Sequence, residues 1–143
     1  MTTETATSTL EANKATVQRL YEESINSGRV ELMEELVGVE YVGPNGEEGP
    51  AGFAATVQDL RRGFPDITFT IEDLMAEGDR VAVRWRWSAT HAGPFRTFAA
   101  TNRHVTNTGI AIYELRDGRV TRAWLETDRL GALQQIGANN KGG

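Results

Sequence analysis

The chain has 143 residues, of which 39% are hydrophobic and 24% charged, with a net charge of −5 and no cysteine. That size suits one domain with a single core, and the acidic balance speaks against a general nucleic-acid binder, which needs Lys and Arg to neutralise phosphates. The absence of cysteine removes disulfides, thiolate nucleophiles and zinc–thiolate sites together.

Met1 to Thr9 is polar and Thr-rich, without the basic start and apolar stretch of a signal peptide. It reads as a disordered tail (residues 1–9) ahead of one domain (residues 10–137) and a flexible end (residues 138–143). No apolar run reaches the roughly 20 residues of a membrane span, so no membrane association is expected and the cytoplasm is the expected compartment.

Ser8 and Glu11 have capping-box spacing, and Leu10, Val17, Leu20, Tyr21 and Ile25 then recur at near-helical steps. This predicts a first helix ending at Gly28. A shorter helix through Val30, Met33, Leu36 and Val37 follows, then a short strand and loop over Tyr41 to Gly49. Pro50 suits a first helical turn, and Phe53, Val57 and Leu60 share one side of a helix that Gly63 terminates.

After Pro65 the period becomes two. Ile67, Phe69 and Ile71 alternate with Thr68, Thr70 and Glu72, and Leu74 and Ala76 take the opposite parity, which predicts a bulge near Asp73. Gly78-Asp79 marks a turn into a long strand with Val81, Val83, Trp85, Trp87 and Ala89 on one face and His91 next in line. A third strand runs from His104 to Leu115. Asp117-Gly118 is a hairpin signal feeding a fourth from Arg119 to Asp128, and Leu130, Leu133 and Ile136 suggest a closing helix. Helices first and long antiparallel strands afterwards define an α+β domain, with helices covering one face of a curved sheet. Arg84, Arg86, Arg96 and Arg103 read as the solvated side of those strands.

Polar residues that interrupt an apolar parity are the functional signal. Val120, Trp124, Glu126 and Asp128 share a parity in the last strand, which predicts two carboxylates facing inward beside an aromatic. A carboxylate in a poorly solvated pocket has a raised pKa and can serve as a general acid or base. His91 shows the same signature beside a Gly-Pro loop. Each also has a structural reading: Asp128 caps the closing helix, Glu126 pairs with an Arg of a neighbouring strand, and His91 is a hydrogen-bonded structural residue. Trp85, Trp87, Trp124, Phe69 and Tyr113 fit core packing, and a cavity for a flat ring system needs the same residues.

The sequence contains no Walker-type loop, no G-x-G-x-x-G opening a helix, no H-E-x-x-H and no G-x-S-x-G. Nucleotide cofactors are not expected, and His91 and His104 have no nearby carboxylate spacing that indicates a metal. No cofactor of any kind is therefore expected.

Phe64-Pro65-Asp66, the run Glu77 to Trp85, and Ala89-Thr90-His91-Ala92-Gly93-Pro94-Phe95, followed by Asp117-Gly118-Arg119-Val120, Trp124, Asp128 and the run Leu130 to Gly137, form an ordered set. That set resembles the SnoaL-like polyketide cyclases from Ala12 onward. The resemblance implies an NTF2-like cone, with N-terminal helices packed on a curved, mainly antiparallel sheet. It also implies a homodimer through the sheet and a buried pocket for a hydrophobic small molecule of polyketide type.

In the best-studied relatives an Asp near the end of the last strand, assisted by His, closes a ring by an aldol reaction without a cofactor. In several relatives a His precedes the Trp matched by Trp124 and an Asp follows it, whereas this chain has Ala123 and Leu125 there. The leading expectation is an acid/base enzyme acting beside a carbonyl, with Asp128 or Glu126 as base and His91 as donor. Trp85, Trp87, Trp124, Phe69 and Tyr113 would shape the pocket, and Tyr21 would reach in from the first helix. The alternatives are a non-catalytic pocket for a hydrophobic small molecule, or a hydroxylase, hydratase, isomerase or epoxide hydrolase on the same fold.

Overall fold

The computed structural model describes residues 3–137, with side chains described from Thr9 onward. Four α-helices and five strands follow in the order α1 (Thr3–Arg19), α2 (Met33–Leu36), β1 (Val37–Val42), α3 (Gly49–Gly63), β2 (Thr68–Glu77), β3 (Arg80–Thr90), β4 (His104–Arg116), β5 (Arg119–Thr127) and α4 (Arg129–Gln135). They build one five-stranded sheet in the order β1-β5-β4-β3-β2, in which only the β1–β5 pair is parallel. This is the expected α+β arrangement of helices on a mainly antiparallel sheet.

Two element boundaries differ from the sequence expectation. Helix α1 begins at Thr3, so the stretch expected as a disordered tail is helical from Thr3 to Thr9 and the start at Ser8 is overrun. Met1, Thr2 and the expected flexible end at residues 138–143 lie outside the described residues. Val37 leaves the second helix and opens β1, where it pairs with Val120; a β-branched residue fits that parallel pairing.

After Arg19 the helix widens into a π-helical turn over Leu20–Ile25, which buries Leu20, Tyr21, Ser24 and Ile25 together. Gly28, at φ 70°, then turns the chain as expected. Between them Asn26 closes the open edge of β2. Its Nδ2 donates to the Phe69 carbonyl at 3.0 Å and its Oδ1 accepts from the Phe69 amide at 2.7 Å.

The strands alternate strictly across β3 and β4. Val81, Val83, Trp85, Trp87 and Ala89 face the helices, as do Val105, Asn107, Gly109, Ala111, Tyr113 and Leu115. Gly109 is required on this face, because a Cβ there would sit 2.5 Å from the Trp85 ring. The bulge expected near Asp73 is present, between Ile71 and Asp73.

A second bulge was not expected. Leu115 pairs with Val120 and Glu114 with Arg122, so Thr121 is an extra residue in β5. Val120 and Thr121 are both buried, and the Thr121 hydroxyl donates to the Glu114 carbonyl at 3.1 Å. Since side chains alternate with period two, one inserted residue exchanges the two faces for the rest of the strand. Beyond the bulge Ala123, Leu125 and Thr127 lie opposite the inward residues Tyr113, Ala111 and Gly109. Trp124 and Glu126 lie opposite Ile112 and Ile110, on the outer face.

Candidate functional site

Helix α3, the inner sheet face, the loop joining β3 to β4, and α4 enclose a cavity of about 800 Å³, within the range of small-molecule sites. Its apolar wall is made by Phe64, Phe69, Trp85, Trp87, Phe95, Leu125 and Leu133, with Leu60 and Ala132 completing it. Asn107 and Thr127 supply neutral polar groups. Glu47, Asp59, Arg62, Arg96 and Arg129 supply charged ones.

The aromatic wall continues behind the cavity. Phe69 lies edge-on to Trp85, with centroids 4.9 Å apart, and Tyr21 packs against Phe69 at 5.3 Å. Of the residues expected to shape a pocket, Phe69, Trp85 and Trp87 line it. Tyr21 and Tyr113 do not; they lie buried behind that wall and share a 2.6 Å hydrogen bond between hydroxyls. Burial pushes both phenols well above their ordinary range, so both stay protonated. The Trp85 Nε1–H is buried beside them and has no hydrogen-bond partner among the described residues.

Trp124 is the clearest correction. It lies on the outer sheet face, 38% exposed, held between the guanidinium groups of Arg80 and Arg122 at 4.9 and 5.0 Å from its ring centre. Glu126 faces outward with it and makes no ion pair among the described residues. The expected inward parity fails for both because of the bulge at Thr121. Asp128 is exposed, and its Oδ1 accepts the Gly131 amide at 2.8 Å, the N-cap role of α4.

His91 is fully buried and also lies outside the cavity lining. Its ring packs on Phe64 at 5.3 Å. The Thr101 amide donates to Nδ1 at 3.3 Å and the Thr101 hydroxyl is 2.9 Å from the same atom. An Nδ1 that accepts leaves the proton on Nε2, which has no partner among the described residues. Backbone bonds from His91 to Arg103 and from Asn102 to His91 complete a clasp at the base of the β3–β4 loop. The three candidate acid/base residues are therefore not brought together at the cavity.

Burial lowers the pKa of His91 below its ordinary 6.5. The imidazole stays neutral in the fold, while the unfolded chain takes up a proton. The associated stability is complete above about pH 6.5 and declines as pH falls below that value. Asp66, whose carboxylate accepts the Thr90 amide at 2.7 Å, has a lowered pKa and loses its contribution only below about pH 3.8. Thermal unfolding followed against pH is expected to show a decline beginning near pH 6.5 that His91→Gln flattens.

Asn107 was missed in the sequence and is the best-defined polar group of the cavity. It is 8% exposed; its Oδ1 accepts the Thr108 amide at 2.9 Å and its Nδ2 donates to the Thr127 hydroxyl at 3.2 Å. Thr127 in turn donates to the Thr108 carbonyl at 2.9 Å. These bonds fix the amide and leave its second N–H without a partner among the described residues. The signal existed: Asn107 is the polar residue in the inward parity Val105, Asn107, Gly109, Ala111. Phe64 and Phe95 stand in segments already singled out, whereas Arg62 and Arg129 carried no pattern. Among the described residues no group of three His, Asp or Glu side chains is placed to hold a metal, and no helix is long and apolar enough to cross a membrane.

Helices over a curved mixed sheet, closed around a largely apolar cavity, define an NTF2-like α+β domain. A profile of the SnoaL-like polyketide cyclases matches residues 15–136, and the chain belongs to that family. A candidate polyketide cyclase from Acidithiobacillus ferrooxidans is similar in structure, with a TM-score of 0.79 and 32% identity over 87% of this chain and 94% of its own. A candidate SnoaL-like polyketide cyclase from Jannaschia sp. CCS1 gives a TM-score of 0.81 and 26% identity over 90% and 93%. AclR, a candidate hydroxylase from Streptomyces galilaeus, shares the fold with a TM-score of 0.80 and 23% identity over 90% and 98%. No curated protein matches the chain.

Proposed function

We propose that the chain binds a hydrophobic, ring-bearing carbonyl compound of polyketide type in the cavity, with Asn107 donating to the carbonyl oxygen. The observation that carries this reading is the fixed amide of Asn107, a donor set in an aromatic wall. A buried donor discriminates strongly, because a ligand without an acceptor leaves it unpaired. Ala123 and Leu125 occupy the inward places of β5 where several relatives carry an acid/base pair, and this favours binding over proton transfer from that strand.

N-phenyl-1-naphthylamine, whose fluorescence rises in apolar sites, is the reporter. Displacement by 2-acetylnaphthalene is expected at about tenfold lower concentration than by 2-ethylnaphthalene, and Asn107→Leu is expected to erase the difference. Equal displacement of the wild type by both compounds contradicts the role of Asn107.

A second reading, an acid/base step on the bound carbonyl compound, is favoured by Glu47. Glu47 lines the cavity, makes no ion pair among the described residues, and accepts the Asn45 amide at 2.8 Å and the Thr56 hydroxyl at 3.4 Å. It would remove a proton beside the carbonyl while Asn107 holds the developing enolate oxygen, chemistry that needs no cofactor. A ligand recovered unchanged after long incubation supports binding alone. Turnover that Glu47→Gln abolishes supports the acid/base step.

The same proposal includes a homodimer through the outer sheet face. Met75, Ala82, Ile112 and Trp124 are successive partners in one row across four strands, flanked by the ion pairs Arg80–Glu114 and Arg84–Asp73. An apolar band with a charged rim suits a second copy. Sedimentation equilibrium is expected to give a dimer and Ile112→Lys a monomer.

A further inference from the structure

We propose that Arg96 and Arg129, both lining the cavity, form a subsite for a carboxylate carried by the ring-bearing ligand. This rests on the reading of the cavity as a small-molecule site. The cavity lining holds three arginines and two carboxylates, in a chain whose net charge is −5. Within that lining Arg62 is already committed, to Asp59 at 2.8 Å. Glu47 is held by the Asn45 amide and the Thr56 hydroxyl. Arg96 and Arg129 have no hydrogen bond and no ion pair among the described residues, unlike Arg19, Arg29, Arg62, Arg80, Arg84 and Arg86, each paired with a carboxylate. Two cations that make no ion pair among the described residues, in the lining of one largely apolar cavity, are suited to an anion that enters with an apolar body.

The placement of Arg96 points the same way. Phe95 and Phe98 exchange two backbone hydrogen bonds of 2.9 Å, so Arg96 and Thr97 form the tip of a tight hairpin. Arg96 holds φ 54° there, a left-handed conformation that favours glycine. An arginine kept at such a position is a functional candidate rather than a turn former. Its guanidinium lies 5.2 Å from the centre of the Phe95 ring, which itself lines the cavity, so the cation is held over the apolar wall. The loop is fixed to α3 by close approach: the Gly93 amide donates to the Gly63 carbonyl at 3.1 Å, and a Cβ on Gly93 would collide with the Arg62 carbonyl. Arg129 arrives from the other direction, two residues beyond Thr127, where the bulge in β5 has set the parity.

The test compares 2-naphthoate with its neutral methyl ester, both displacing N-phenyl-1-naphthylamine at neutral pH. The wild type is expected to prefer the acid by about tenfold, with the preference shrinking as salt rises. In Arg96→Gln/Arg129→Gln the preference is expected to vanish while the affinities of the reporter and the ester stay within about twofold. Equal affinity of acid and ester for the wild type overturns the subsite. So does an acid preference that survives the double substitution, or one that is lost instead in Arg62→Gln. If the reporter itself fails to bind, the small-molecule reading of the cavity falls and the subsite falls with it.

Discussion

Leu125→Asp is expected to weaken binding of N-phenyl-1-naphthylamine by about 30- to 100-fold, while Glu126→Gln changes it by less than about twofold. Leu125 lines the cavity and Glu126 points away from it. A carboxylate at residue 125 must be desolvated whenever a neutral ring is seated over it, a cost of about 2–3 kcal/mol. The carboxylate of Glu126 stays in water in both states. Fluorescence titration of the two variants, with unfolding curves to show that each is folded, checks both halves.

The second large effect is on stability. Phe64 is 1% exposed and joins the three parts that define the site. Its ring centre lies 5.1 Å from Trp87, 5.3 Å from His91 and 5.1 Å from Phe95. Phe64→Ala therefore removes one wall of the cavity, the packing surface of the buried imidazole and the support of the loop. The expected cost is about 3–5 kcal/mol, against about 1.5 kcal/mol or less for Phe64→Leu, which keeps most of the volume. Urea unfolding measures the difference directly.

Much of the fold was legible because its periods are clean. The alternation from Val81 to Ala89 marks a strand with one apolar face, the run from His104 to Leu115 reads as its neighbour, and Asp117-Gly118 signals the hairpin into the strand that follows. The bulge near Asp73 was also readable, since Ile71 and Leu74 are apolar in opposite parities. The bulge at Thr121 left a weaker mark, since Ala123 and Leu125 are apolar in the parity opposite to Val120 but Trp124 stands in the other parity and outweighs them. Val120 and Thr121 are both β-branched and sit equally well in a strand, so the parity was carried through unbroken and delivered Trp124 and Glu126 to the wrong face.

That single residue accounts for the misplacement of Trp124 and Glu126, whereas Tyr21, Tyr113, His91 and Asp128 depart from the expected site for other reasons. The aromatic wall of Phe69, Trp85 and Trp87 lies before the bulge, on the face its parity indicates. Asp128 lies after it and is taken up by the N-terminus of α4. His91 has the parity expected of it, but the β3–β4 loop folds over the ring, and a histidine sealed by Phe64 and Thr101 looks no different in sequence from one that faces a ligand. The arginines of the cavity come from a helix, a loop and the start of another helix, three places that only tertiary structure unites.

The central claim, that the bulge turns Leu125 and Thr127 toward the cavity and Trp124 and Glu126 away from it, can be tested simply because the chain has no cysteine. Single cysteines at residues 124, 125, 126 and 127 can be labelled with a maleimide in the presence and absence of saturating N-phenyl-1-naphthylamine. Protection by the probe of residues 125 and 127, with unchanged labelling rates at 124 and 126, is the predicted result; protection of 124 and 126 instead would contradict the account.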